Sequence, residues 1–164
     1  MDTKRLFRVI LRDAVIKGDV QLAENMIAKG ADVNGKLRGY SLLHSAAMDG
    51  RVRVAQSLIK HGAKVNARDP NGYTPLHIAV EAGHERMASV LIESGAHLNA
   101  KDKMGFTPLH SAVLNGRTSM AKALVHAGAD INLLDNQNHT PRYYVEDDLS
   151  ELSAFLTNNG ATLL

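Results

Sequence analysis

Histidine is the residue type in this chain with the most chemistry to offer, and there are eight of them. A neutral imidazole can ligate a metal or carry a proton near physiological pH. Three of the eight, His44, His77 and His110, recur at intervals of 33 residues. Residues one such interval apart would sit on successive packed helices, about 8–10 Å from each other. Zinc needs its ligand atoms within about 2 Å, so these three cannot share an ion. His61, His84, His97, His126 and His139 show no spacing that suggests a ligand set. The chain has no cysteine, which excludes disulfides, thiol nucleophiles and thiolate metal sites. It contains no Gly-x-Gly-x-x-Gly string, P-loop or nucleophile elbow, and no Ser-His-Asp set follows from local spacing. The expectation is a chain without catalytic residues, cofactor or metal, and therefore not an enzyme.

The histidines belong to a wider period. Gly-Ala pairs stand at Gly30, Gly62, Gly95, Gly128 and Gly160, and Asn34, Asn66, Asn99 and Asn132 follow four residues behind the first four. Gly39, Gly72 and Gly105 share the same interval, as do Gly50, Gly83 and Gly116. A fixed period of this length means stacked supersecondary units. The register divides one domain, 1–164, into units at about 1–35, 36–67, 68–100, 101–134 and 135–164.

The third unit shows what each must fold into. Thr74 can cap a helix, and Pro75 suits its first turn. Leu76, Ala79 and Val80 share a helical face that ends at Gly83. Met87, Val90, Leu91 and Ile92 predict a second short helix ending at Gly95. Two helices of about ten residues joined by a short loop make a helical hairpin. Asp69-Pro70-Asn71-Gly72 is a turn signal between hairpins. Helices this short are marginal alone, so each unit needs neighbours. Burying Leu76, Leu91 or Ile92 should contribute about 1.5–3 kcal/mol each.

The string Gly-x-Thr-Pro-Leu-His-x-Ala, then Gly, then Leu-Ile/Val-x-x-Gly-Ala-x-Val/Leu-Asn resembles the ankyrin repeat. The match is full in units three and four, close in unit two, where Ser41-Leu42 replaces Thr-Pro, and partial at both ends. The resemblance implies an all-α solenoid: five stacked helix-turn-helix units with projecting β-hairpin-like fingers. It implies a structural role for His44, His77 and His110, hydrogen-bonding the turn and its neighbour. It also implies a non-catalytic module that binds a protein or peptide on a concave face of finger tips and first helices. Carried over unit by unit, that face comprises Leu37, Arg38, Tyr40, Met48 and Asp49, then Pro70, Asn71, Tyr73, Glu81 and Ala82. It continues through Lys103, Met104, Phe106, Leu114 and Asn115 to Asn136, Gln137, His139, Asp147 and Asp148. Tyr40, Tyr73 and Phe106 occupy one position in successive units, where solvent should reach them, and Met48, Met104, Leu114 and Leu37 share the zone. Contiguous exposed apolar surface marks an interaction site; the competing reading is that large residues here cover the turn beneath.

The end units depart from the pattern. In residues 1–35, Leu6, Val9, Ile10 and Ala14 are spaced for one helix face, and Arg5, Arg8 and Arg12 line another. The segment is Arg-rich and amphipathic, as a targeting peptide is, but Asp2 and Asp13 and its run into the repeat register favour a cap whose charged outer side is wetted. In unit five Asn138 replaces the finger glycine, Arg142-Tyr143 replaces Leu-His, and Ser150 can cap a helix carrying Leu152, Phe155 and Leu156. Glu146, Asp147, Asp148 and Glu151 make this end acidic, as a polar closing cap. The final Ala161-Thr-Leu-Leu stops inside the Gly-Ala-x-Val-Asn motif, as a piece of a longer protein would.

Unit two holds Lys36, Arg38, Arg51, Arg53, Lys60 and Lys64 against Asp49 alone. One reading is a patch for an acidic partner or nucleic acid; the other is that these residues point to different faces. The overall charge of +2 is too small to demand a nucleic acid or an anionic membrane. The apolar runs are too short to span a membrane, and the absence of cysteine fits a reducing compartment, so a cytoplasmic monomer is expected, with self-association through the aromatic line as the alternative.

Overall fold

The computed structural model describes residues 3–146 and 150–163. Helices come in pairs: α1 (Thr3–Lys17) with α2 (Val20–Ala28), α3 (Leu42–Met48) with α4 (Val52–Lys60), α5 (Pro75–Ala82) with α6 (Glu85–Glu93), and α7 (Pro108–Leu114) with α8 (Thr118–His126). A 3-10 helix, Pro141–Tyr144, and α9 (Glu151–Asn158) close the chain. The first helices α1, α3, α5 and α7 and the 3-10 helix pack on one another in chain order. The second helices α2, α4 and α6 do likewise, and α8 packs on α9. Two layers follow, with one continuous core between them.

The period fills that core. Leu43, Leu76 and Leu109 are buried from the inner layer, and Leu58, Leu91 and Leu124 from the outer. Ile92 is half-buried on the flank of α6, short of the expected burial, because Met87, Ala88 and Leu91 already take the packed face. In α1 the packed face is also shifted. Phe7, Leu11, Ala14 and Val15 meet the core, whereas Leu6 and Val9 are exposed. The i, i+4, i+7, i+8 set through Leu11 is the larger apolar stripe and wins the contact with α2 and α3.

Three inner helices, α3, α5 and α7, start from the same device. Ser41, Thr74 and Thr107 cap α3, α5 and α7, each accepting from the backbone N–H of the histidine three residues on. Unit five breaks it. The Thr140 hydroxyl donates instead to the Thr162 carbonyl at 2.6 Å, and Tyr143 stands where the histidine would be. Arg142, in the leucine's place, sends its guanidinium to Ser153 Oγ at 2.6 Å. With no side-chain cap the helix is a single 3-10 turn. Ser150 does cap α9, accepting from Ser153 N–H at 3.1 Å, and Leu152 and Leu156 are buried.

The fingers are of two kinds. In the first, β1 (Lys36–Leu37) pairs antiparallel with β2 (Tyr40–Ser41) across the two-residue turn Arg38-Gly39, with φ of +51° and +87°. In the others Asp69, Asp102 and Asp135 are buried, and one carboxylate oxygen of each accepts from backbone N–H groups two and four residues on. These are side-chain-closed turns, not strands. Lys36 occupies the aspartate's place in the first finger, which is why only that finger needs a strand pair. Successive fingers touch: Asn136 N–H donates to the Met104 carbonyl at 3.0 Å, and a Cβ on Gly105 (φ +84°) would lie 2.6 Å from Asn136 N.

Candidate protein-binding face

The periodic histidines explain how the face is held. The backbone N–H of Ser41, Thr74 and Thr107 donates to Nδ1 of His44, His77 and His110 at 3.1–3.2 Å. That nitrogen must therefore be unprotonated, and the proton sits on Nε2. From there each ring donates to a carbonyl one unit on: Tyr73 at 3.0 Å, Phe106 at 3.1 Å and His139 at 3.2 Å. Both ring nitrogens are thus committed to backbone. Burial lowers the three imidazoles below their ordinary value, and the carbonyl contacts only partly oppose it. Among the described residues no three His, Cys, Asp or Glu side chains stand together as a metal site.

This geometry, repeated from unit to unit, accounts for the aromatic line. Tyr73, Phe106 and His139 are the residues whose carbonyls receive these bonds, so their backbone is pinned. The Tyr73 and Phe106 side chains then fold back over the histidine of their own unit, as Tyr40 does over His44. The Phe106 ring stacks on His110 at 5.4 Å, Tyr73 lies 5.5 Å from His77, and Tyr40 lies near-perpendicular to His44 at 6.1 Å. All three are half-buried, less open than the sequence suggested. Phe106 also meets Tyr144 at 5.3 Å, and His139 stacks on Tyr143 at 3.6 Å. Covering the turn is thus a real function of this position.

Apolar exposure lies beside that line. Leu37 (47%), Met48 (51%), Met104 (57%) and Leu114 (51%) are the open side chains. Arg38, Asp49, Pro70, Asn71, Ala82, Lys103, Asn115, Asn136 and Gln137 are exposed around them. Asp147 and Asp148 lie outside the described residues. Glu81 is half-buried; burial raises its carboxyl above the usual range, against hydrogen bonds from Tyr73 and Ser111. The Tyr73 hydroxyl is pushed up to about 12 by burial and then by the Glu81 carboxylate.

The structure brings Leu37, Arg38, Tyr40, Met48 and Asp49 to one groove, and adds residues that spacing alone did not assign: Arg5, Arg8, Val9, Arg12 and Ile16 of α1. Their only signal was the 5, 8, 12 spacing of arginines, which reads equally as a wetted outer side. The six bases of unit two do not form one patch. Lys36 and Arg38 line this groove, whereas Arg51 and Arg53 line a separate hollow with Arg86. Arg51 Nε donates to the Ile16 carbonyl at 3.1 Å, joining units one and two. Lys60 stands in the last turn of α4, where the helix end favours positive charge. Among the described residues no helix is long and apolar enough to cross a membrane.

The asparagines that close each unit are stitches as well. Asn66 donates to the Gly95 carbonyl at 3.0 Å and accepts from His97 N–H at 2.7 Å, and Asn34 and Asn132 repeat this on the next unit. Histidine on one side and asparagine on the other explain why both residues recur with the glycines. A search of the curated proteins finds no match for the chain. A family model described as ankyrin repeats (3 copies) matches residues 11–102 and 70–135. Repeats of this kind generally serve as protein–protein interaction modules. With the helical pairs, the capped turns and this match over most of its length, the chain belongs to the ankyrin repeat family.

Proposed function

We propose that the chain is a non-catalytic interaction module, monomeric and cytoplasmic, that holds a segment of another protein on its finger-side face. The supporting observation is where large apolar side chains are exposed. Leu6, Val9, Ile16, Met48, Leu114 and Tyr143 open on the inner helices and the 3-10 helix, Leu37 and Met104 on the fingers, and Leu163 past the end of α9. Among the described residues, the outer helices α2, α4, α6, α8 and α9 expose none. Exposed apolar surface gathered on one side marks an interaction site, and Met, Tyr and Phe are enriched at such sites. In this reading Met104 and Leu114 are central anchors. Tyr40, Tyr73 and Phe106 form a half-buried floor beneath them. Arg38, Asp49, Asn71, Glu81, Lys103 and Asn115 supply the polar rim.

The test is quantitative capture from native lysate by three forms of the chain. The Met104→Asp/Leu114→Asp variant should retain at least about tenfold less of each captured protein. A control with the same charge change on the outer layer, Gln56→Asp/Ala123→Asp, should retain wild-type amounts. Equal capture by all three forms would contradict the proposal.

A further inference from the structure

The groove between α1 and the first finger, with a volume of about 480 Å³, differs in chemistry from the rest of this face. Val9 is 56% exposed and opens into it with Ile16, Leu37 and Met48. Around these apolar walls stand five bases, Arg5, Arg8, Arg12, Lys36 and Arg38, and one acid, Asp49. The three arginines of α1 follow i, i+3, i+7 spacing, so they form one row along the helix. Among the described residues none of the four arginines forms an ion pair. Lys36 Nζ donates only to the Arg68 carbonyl, at 3.1 Å. In a chain of net charge +2 this is a local concentration of unneutralised positive charge.

We infer that this groove takes an acidic amphipathic segment of a partner protein, its apolar side chains against Val9, Ile16, Leu37 and Met48 and its carboxylates on the arginine row. The inference rests on the protein-binding reading above and narrows it to the N-terminal end of the face. Two features favour a peptide over a nucleic acid. An apolar wall gains from burying aliphatic side chains and gains nothing from a phosphate backbone. Among the groove's lining residues Tyr40 and His44 carry the aromatic rings; His44 is fully buried and Tyr40 half-buried against it, so the groove lacks the run of open rings on which successive bases stack. The α1 bases that line the groove are all arginine, which suits carboxylates, because the planar guanidinium meets them with two parallel bonds.

The experiment pans a random dodecapeptide phage library on the full chain, then measures synthetic copies of the recovered peptides by fluorescence anisotropy. The recovered peptides should be rich in Asp and Glu interleaved with apolar residues. Arg5→Glu/Arg12→Glu should weaken them at least about tenfold, and Arg5→Gln/Arg12→Gln by less. Raising salt from about 50 to about 300 mM should weaken them by a comparable factor. Both arginines are exposed, and a thermal melt of each variant checks that the fold is kept. The inference is overturned if no peptide is enriched, if the enriched set has no acidic bias, or if acidic peptides ignore the arginine reversal. It is equally overturned if duplex DNA displaces them more strongly than free peptide does. Sedimentation showing that the groove is filled by a second copy, released by the same reversal, would also overturn it. Peptides that depend on Met104 and Leu114 but not on the arginines would sink this inference and leave the broader reading standing. Peptides indifferent to both sets would sink both.

Discussion

His44, His77 and His110 are held neutral by their surroundings. Nδ1 accepts from the backbone N–H of the capping residue, so a second proton there would face a donor and break the contact. The unfolded chain has no such constraint. The folded pKa is therefore below the ordinary 6.5, burial being the main cause. A depressed value means that the unfolded state binds more protons in acid. Stability is fully present above about pH 6.5 and is lost as pH falls through the folded values. Each histidine that titrates contributes a slope of up to about 1.4 kcal/mol per pH unit. Urea unfolding at about pH 7.5 and pH 5 should show a lower midpoint in acid, and His77→Gln should flatten the dependence. A midpoint that does not change between the two would remove the tautomer assignment.

At the scale of the element, two substitutions separate packing from turn chemistry. Leu91 is fully buried in α6, so Leu91→Ala should cost about 2–5 kcal/mol. Ile92→Ala, on the same helix but half-exposed, should cost less. Denaturant melts of the two variants decide it; equal losses would contradict the shifted face of α6. In the first finger Arg38 sits at φ +51°, a region that Asn tolerates better than Arg. Arg38→Asn should raise stability by about 0.5–1 kcal/mol while weakening any acidic peptide held in the groove. A loss of stability would mean that the Arg38 side chain contributes more to the hairpin than its strained backbone costs. The helical pairs were legible in the sequence because units two to four repeat a Ser/Thr–x–x–His cap at one register, and repetition removes ambiguity from each position. The unlike fingers were not, since one Lys-for-Asp exchange at position 36 alters how the turn closes. Nor was the 3-10 helix, where Thr140 keeps the cap residue but loses the histidine partner that makes it useful.

Seen whole, the molecule is a two-layer stack in which units two to five are tied twice, by histidine on the finger side and by asparagine on the other, while Asn34 and Arg51 join unit one to unit two. Neither tie uses an exposed side chain of the finger-side face: the histidines are buried and bond to backbone carbonyls, and the asparagines lie on the opposite side. The finger-side surface is therefore free to vary while the scaffold is not, and this is the physical basis for placing recognition there. How far that surface could be read from sequence follows from the same geometry. Leu37, Met48, Met104 and Leu114 could be placed by carrying the face that the ankyrin resemblance implies over each unit in turn, because each belongs to a single unit. The burial of Tyr73 and Phe106 could not, because it depends on rings folding over histidines. The groove could not either, because α1 and the first finger are separated in the chain by all of α2 and meet only in the fold. The most direct test of recognition on this face is amide chemical-shift mapping of the full chain, titrated with a partner segment or a selected peptide. The account predicts shifts at Leu37–Tyr40, Met48, Met104 and Leu114, with the amides of α4, α6 and α8 unchanged. Shifts concentrated on those outer helices, with the fingers silent, would contradict it.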